Sequence, residues 1–314
     1  MSAIFNPDEL AAQALAGLSA SGAGIRPAMP DQHRDFFRLL PYLFAATTDV
    51  RGWPMASILT GAPGFVHSPD PATLRIDALA APEDPAASNF HDGSTIGLLG
   101  LDLTTRRRNR ANGRVAAVDD RGLTVAIDQS FGNCAQYIQV RRPAPHPRPA
   151  VPAQELGGLD RDARGLIAGA DTFFVASRSR TDIAEAGGLD VSHRGGRPGF
   201  VGIEGDTLII PDFRGNRFFN TLGNLLGDPR AGLLFIDFAS GDLLQLQGKA
   251  VIDWSAESAA AVAGAQRSWR LAVERAWRRP AALPFDWTVG EFAPTTLATG
   301  TWSSTPRPPA EATA

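Results

Sequence analysis

The residues best equipped for chemistry are Asp212-Phe213-Arg214-Gly215-Asn216-Arg217, set between a strand-like run, DTLIIP, and a helix-like run, FFNTLGNLL. A helix N-terminus presents free N–H groups and a partial positive charge, and a glycine beside it lets the backbone approach a ligand closely. Arg214 and Arg217 add guanidinium forks that match phosphate oxygens. Asn216 is placed to cap the helix, and Asn220 and Thr221 follow one turn along the same face. The spacing predicts an anion cradle; the bland alternative is a solvated loop whose arginines pair with Asp212 or Asp228.

Upstream, Ser192-His193-Arg194-Gly195-Gly196 closes a strand-like run with two glycines, which permit positive φ beside a flat ligand or in a tight hairpin. His193 can donate a hydrogen bond to a ligand heteroatom or relay a proton, and it is the single candidate for acid–base catalysis. The stretch from Asp128 to Gln139, DQSFGNCAQYIQ, is dense in amides and hydroxyls, of which Gln129, Ser130 and Asn133 suit polar ligand contacts. Cys134 has no acid or histidine near it in sequence and reads as a small hydrophobe rather than a nucleophile. Arg106-Arg107-Arg108-Asn109-Arg110, if a strand, puts Arg106, Arg108 and Arg110 on one face. It reads as a solvated hairpin, the alternative being contact with a phosphate in a groove.

Composition sets limits on these readings. At 314 residues, 44% hydrophobic and 20% charged, the chain suits about two globular domains. A net charge of -3 gives no global attraction for nucleic acid or an anionic membrane, so an anion site must be local. One cysteine and five scattered histidines form no cluster with ligand spacing, and no metal is expected. With no membrane-length apolar run and no secretory leader, the expected location is cytoplasmic.

The elements that position these residues show the signature of a repeat. Asn6-Pro7-Asp8-Glu9 predicts a helix start with a reciprocal cap, and Asp31 starts a second helix. Short β-type runs follow, LFAATT, MASILT, ATLRIDA, STIGLLGLDL, GRVAAV and LTVAID, before a stiff Pro-rich segment, RPAPHPRPAVP. The same order then returns: a helix over Asp160–Ala168, then TFFVAS, LDVSH, DTLIIPD, AGLLFIDF and LLQLQGKAVID. Pro63-Gly64-Phe65-Val66 recurs as Pro198-Gly199-Phe200-Val201 (198 − 63 = 135), and Gly97-Leu98-Leu99 and Gly113 recur at Gly232 and Gly248 in the same register. An Ala-rich helix over Ser255–Gln266 and a closing strand through Trp269 and Trp277 complete the second copy.

The expected architecture is mainly β (α+β): two tandem split β-barrels packed as a pseudo-dimer within one chain, with flanking helices and ligand sites in the groove between copies. The expected divisions are an N-terminal helix and connector over 1–30, a first barrel over 31–141, a linker over 142–158, a second barrel over 159–302 and a disordered tail over 303–314.

LDVSHRGGRPGFV, IIPDFRGNRFFNTLGNLLGDPRAGLLFIDF and LLQLQGKA resemble the pyridoxamine 5′-phosphate oxidase-like proteins, the FMN-binding split β-barrels, and DQSFGNCAQYIQ and LTTRRRNRANGR resemble the first half of their duplicated members. The resemblance implies FMN in the groove, its phosphate on Arg214, Asn216 and Arg217 and its ring against Ser192, His193 and Arg194. It further implies an amide from Gln245 or Gln247 toward the ring, and a contribution of Gln129 and Ser130 from the other copy. In the first copy, Ala78-Leu79-Ala80-Ala81-Pro82 stands where the second has Phe213-Arg214-Gly215-Asn216-Arg217, so one competent site per chain is expected. The expected function is an FMN-dependent oxidoreductase acting on a small molecule, with NAD(P)H as a candidate reductant. The alternatives are FAD, deazaflavin F420 or haem as cofactor, a non-catalytic carrier, a cofactor-free binding module, and a homodimer beyond the pseudo-dimer.

Overall fold

A computed structural model describes residues 4–183 and 186–302, so the tail expected to be disordered, 303–314, lies outside the described residues. Asn6 caps α1 (Pro7–Leu15) as its spacing predicts: its side chain accepts from the N–H of Asp8 and Glu9, and the Glu9 carboxyl accepts from the Asn6 N–H. After α2 (Asp31–Arg38) come β1 (Tyr42–Thr48), β2 (Pro54–Thr60), β3 (Val66–Asp70), β4 (Thr73–Ile76), β5 (Thr95–Asp102), β6 (Arg107–Asp119) and β7 (Gly122–Gly132). The connecting region holds β8 (Arg141–Pro145), β9 (Gln154–Leu156) and α3 (Arg161–Gly169). The second half runs β10 (Thr172–Arg178), β11 (Leu189–Gly195), β12 (Gly202–Glu204), β13 (Thr207–Phe213), α4 (Asn220–Gly227), β14 (Arg230–Ile236), β15 (Leu243–Asp253), α5 (Ala256–Ala260), β16 (Ala265–Arg279), β17 (Phe285–Val289) and α6 (Pro294–Leu297). No helix among the described residues is long and apolar enough to cross a membrane.

The two sheets have one topology. The first is ordered β2-β1-β5-β6-β7-β4-β3 and the second β11-β10-β14-β15-β16-β13-β12, with β9 added beside β16, and every pairing is antiparallel. Both carry a register shift at the same place, between Asn112 and Gly113 in β6 and between Gln247 and Gly248 in β15. The protein is therefore two β-barrel-like domains of one design.

Burial explains why β1 and β10 read as unbroken apolar runs rather than alternating ones. Leu43 and Ala45 enter the first barrel's core, while Tyr42, Phe44 and Ala46 enter a separate core shared by the two barrels. Phe173 and Val175 enter the second barrel, and Phe174 and Ala176 join the shared core. A strand buried on both faces has no polar face to show. Phe44 pairs with Ile58 as Phe174 pairs with His193, and these two equivalent rings stack with centroids 3.6 Å apart. Glycines mark the closest approaches between copies: a Cβ on Gly97 would lie 2.5 Å from the Leu189 carbonyl oxygen, and one on Gly232 would lie 2.5 Å from that of Pro54. These contacts exchange under the approximate twofold.

Two local expectations change. The Ala-rich helix stops at Ala260, because β16 begins at Ala265 and pairs there with Phe213; strand pairing outweighs alanine's helix propensity. In the Pro-rich segment Arg141–Pro145 is a strand, paired with β17 in a two-stranded ribbon whose open edges tolerate proline.

Candidate functional site

A cleft of about 910 Å³, open mouth included, lies between the barrels. The first contributes Arg108 and Arg110 from β6 and Asn133, Gln136 and Tyr137 from the segment after β7; the second contributes β11, β13, residues 215–222 and the start of β16. The segment between β13 and α4 is tightly wound. Arg217 (φ 66) and Phe219 (φ 63) are left-handed, as is Tyr137 (φ 63) across the cleft. Non-glycine residues adopt this region at a cost of about 1–3 kcal/mol, and such strain concentrates at binding sites. The Asn216 side chain accepts from the Phe218 N–H at 3.1 Å and donates to Asn133 Oδ1 at 3.1 Å, joining the two copies. It does not cap α4, whose N-cap is Phe219 and carries no side-chain bond.

The charges divide into satisfied and unsatisfied groups. Asp212 accepts from Arg194 and, at 2.7 Å, from Arg267, which also lies 5.1 Å from the ring centroids of Phe219 and Trp254. Asp190 accepts from Arg110 at 2.6 Å, Asn112 at 2.8 Å and Asn224 at 2.9 Å. Arg108 has no carboxylate: its NH1 donates to His193 Nδ1 at 3.3 Å, and burial, with Arg110 and Arg194 nearby, pushes its pKa down to about 10. Arg217, among the described residues, has neither a carboxylate partner nor a side-chain hydrogen bond. His193 is held well below the ordinary imidazole pKa by burial and by Arg108, Arg194 and Arg141. Because Nδ1 accepts from Arg108, the proton of the neutral ring sits on Nε2, which is buried without a partner. Arg108 Nε, Arg194 Nε and Asn133 Nδ2 are likewise buried without acceptors, so the cleft has a surplus of donors. That surplus suits an anionic or acceptor-rich ligand.

Ser192, His193, Arg194, Asn216, Arg217, Asn220 and Thr221 come together in this lining, as expected for them. Other candidates do not. Arg214 is exposed and outside the lining; among the described residues only its carbonyl is engaged, by the Tyr137 hydroxyl at 3.2 Å. Gln129 is absent from the lining, and Ser130 is buried with its Oγ 2.8 Å from His33 Nδ1. Gln245 and Gln247 face the first barrel: Gln245 donates to the Ala56 carbonyl and to Asp84, each at 3.0 Å, and Gln247 accepts from Arg51 at 3.0 Å. The twofold explains this displacement, since β15 reaches toward β2 as β6 reaches toward β11. At the corresponding places in β6 stand Arg110, which lines the cleft, and Asn112, which bonds Asp190 behind it, so the amides expected there serve the opposite groove. Arg108 and Arg110 do not form a solvated hairpin; Arg110 is 3% exposed. Only their alternation signals this in sequence, and Arg267 gives no local signal because it follows an apparent helix. Exposed Cys134 is not in the lining.

The opposite groove is filled by the chain itself. Where the second barrel has residues 214–219 and α4, the first has a loop ending in a 3₁₀ turn at Ala87–Asn89. Asn89 bonds Thr47 at 3.1 Å as Asn224 bonds Ser177 at 3.2 Å, so the two segments match at this point. The Asp84 carboxylate sits fully buried in the groove, accepting from Ser57, from Gln245 and, at 2.8 Å, from Arg279. Their counterparts across the twofold, Ser192, Arg110 and Asn133, border the open cleft.

No protein-family model and no curated protein sequence matches the chain. Among solved structures it is similar to HupZ of Group A Streptococcus (14% identity, 38% of this chain and 92% of that one, TM-score 0.30). It is also similar to an FAD-binding protein from Mesorhizobium loti (11%, 41% and 97%, TM-score 0.27) and to a candidate 5-nitroimidazole antibiotic resistance protein from Bacteroides thetaiotaomicron (12%, 43% and 95%, TM-score 0.28). Likeness at this level fixes neither ligand nor chemistry.

Proposed function

We propose that the cleft holds the phosphate-bearing flavin FMN, one per chain, and that the protein is a flavin-dependent oxidoreductase of the pyridoxamine 5′-phosphate oxidase-like kind acting on a small molecule. The observation that carries this reading is the pair of cleft arginines, Arg108 and Arg217, that have no carboxylate partner while their neighbours Arg110, Arg194 and Arg267 are neutralised. Two guanidinium groups without a carboxylate, in one lining with the uncapped start of α4, suit a phosphate. The same lining includes Tyr137, Phe213 and Phe219 with the amides Asn133 and Gln136, a combination that suits a flat polar ring.

Bound flavin would supply hydride transfer, with NAD(P)H as the natural reductant to try first. Arg217 and Asn216 bind phosphate at the α4 end of the lining, and Arg108 adds a half-buried positive charge. His193, neutral and protonated at Nε2, donates a hydrogen bond and holds that proton across the neutral range. Asp212 fixes Arg194 and Arg267 so that they shape the wall without competing for the ligand.

The test is a titration of the purified protein with FMN, followed by anaerobic NAD(P)H. Stoichiometric binding with bleaching of the flavin bands supports the enzyme; binding without bleaching by any reductant or substrate supports a carrier. A protein that takes up no flavin overturns both.

A further inference from the structure

The N-terminal helix has no counterpart in the repeat, since α2 and α3 are the helices that precede the two barrels. It packs against the cleft's own supports. A Cβ on Gly223 of α4 would lie 2.5 Å from Glu9 Cα, so helix meets helix at backbone distance. Glu9 Oε1 accepts from the Nδ2 of Asn220, a cleft-lining residue, and Asn6 Nδ2 donates to Asn224 at 3.4 Å. Gln13 Nε2 donates to the carbonyl of Phe218 at 3.3 Å, between the two left-handed residues Arg217 and Phe219. The Phe218 ring is held between Phe5, at 5.5 Å, and Phe131 of the first barrel, at 5.8 Å. Glu9 and Gln13 are 3% and 2% exposed, although the exposed Leu10 and Leu15 show that the helix has a solvent face.

A strained segment persists only where its surroundings over-determine it. Here the surroundings are α1 on one side and Phe131, Asn133 and Tyr137 of the first barrel on the other. We propose that α1 is a positioning element of the cleft: through Gln13 and the carboxyl of Glu9 it holds residues 216–220 in the conformation that presents Arg217 and Asn220, and a negative charge at Glu9, facing Asp190, loosens that hold. This rests on the reading above only in taking the cleft to be the ligand site.

The chemistry around Glu9 supports the second clause. Burial first, and the Asp190 charge second, raise its pKa to about 8, against the lowering effects of the Asn6 N–H, Asn220 and Arg110. The charged groups facing it are Asp190 from β11 and Arg110 from β6, and these two already pair with each other. Asp8, on its own helix, is paired outward with Arg180. A folded-state pKa above the unfolded one means that stability from this group is complete at acid pH and is lost as pH rises toward 8. At pH 7 the carboxyl is mostly neutral; at pH 9 it is an anion beside Asp190.

The experiment reads amide hydrogen exchange of residues 214–222 in the ligand-free protein at pH 7 and pH 9, corrected for intrinsic rates, in wild type, Glu9→Gln and Glu9→Ala. FMN titration runs in parallel. The expected result is protection in wild type that falls about tenfold or more between pH 7 and 9, protection in Glu9→Gln that is equal at both, and protection in Glu9→Ala that is already low at pH 7. Flavin affinity should follow the same order. Glu9→Gln losing protection with pH as wild type does, or Glu9→Ala keeping it, overturns the proposal. If Glu9→Ala does not fold, wild type against Glu9→Gln decides alone. FMN that binds no variant sinks the flavin reading, while the exchange pattern still decides this one.

Discussion

The two grooves between the barrels began from the same strand frame and differ in what fills them. In the first, Asp84 brings a carboxylate from the chain and accepts from Ser57, Gln245 and Arg279 at once. In the second, Arg217, the Nε2 of His193 and the Nδ2 of Asn133 have no such partner, and α4 replaces the loop. One groove is filled by the chain and the other is open. Buried polar groups in folded proteins are paired with few exceptions. The filled groove keeps Gln245 Oε1 and Arg279 Nε unpaired around a carboxylate that the chain supplies, whereas the open one gathers Arg108 Nε, Arg194 Nε, His193 Nε2, Asn133 Nδ2 and Gln136 Oε1 with no such carboxylate at its centre, and that larger cluster points to a ligand.

The largest effect should come from breaking the filled side. Asp84→Ala leaves Arg279 buried and uncompensated, and loss of one partner of a buried pair costs about 3–5 kcal/mol. Chemical denaturation should show that loss; a variant as stable as wild type would mean that Asp84 does not plug the groove. On the open side, Arg217→Ala should leave stability unchanged, because the side chain is exposed and makes no bond among the described residues. It should weaken a phosphate-bearing ligand by about 1.5–3 kcal/mol, the range for hydrogen bonds to charged groups. Arg214→Ala, by the same titration, should weaken it little. Equal losses at 214 and 217 would put the phosphate elsewhere.

The sequence shows the frame more fully than the site. Period, repeat and capping come from local physics, so the Asn6 cap and the helix from Asp160 could be read directly, and the shared register of Gly97 and Gly232 revealed the duplication. The second-copy residues Ser192, His193, Asn216 and Arg217 were legible for the same reason, being adjacent in sequence to the turn that exposes them. What was not legible is which copy's strand faces which groove. That depends on the packing of the twofold, so Gln245 and Gln247 were assigned to the wrong side of it and Arg108 and Arg110 were read first as a solvated hairpin, with contact to a groove phosphate only as the alternative. Arg267 lies at the start of a strand that propensity disguises as a helix end. Asp84 sits in a loop with no pattern, and its role exists only through residues far away in sequence.

Twofold packing can be tested where it is tightest. Gly97→Ala and Gly232→Ala each place a methyl group 2.5 Å from a carbonyl oxygen of the other barrel. Overpacking of this kind costs typically about 1–3 kcal/mol. Because the two contacts are equivalent, their losses of stability should agree closely, and thermal unfolding of the pair side by side would show it. A large cost at one position with none at the other would mean that the barrels meet asymmetrically.

The smallest effect is also the most specific to the open groove. Ile58 and His193 hold equivalent places opposite the stacked Phe44 and Phe174, so the first groove has nothing that titrates where the second has an imidazole. Burial and the surrounding arginines hold His193 neutral in the fold, whereas in the unfolded chain it protonates near its ordinary value of 6.5. Below that pH the unfolded state binds more protons than the folded state, so stability falls on acidification, by at most about 1.4 kcal/mol per pH unit until the buried ring itself protonates. Above pH 6.5 the contribution is complete. His193→Ile copies the first groove's residue into the second, and the stability difference between wild type and this variant should be flat from pH 7 to 8 and shrink between pH 6.5 and 5. Taking the difference cancels Glu9, whose own slope runs the opposite way. A difference that stays constant down to pH 5 would show that His193 is protonated in the folded state; its Nδ1 would then donate rather than accept, and Arg108 would have to turn away from it.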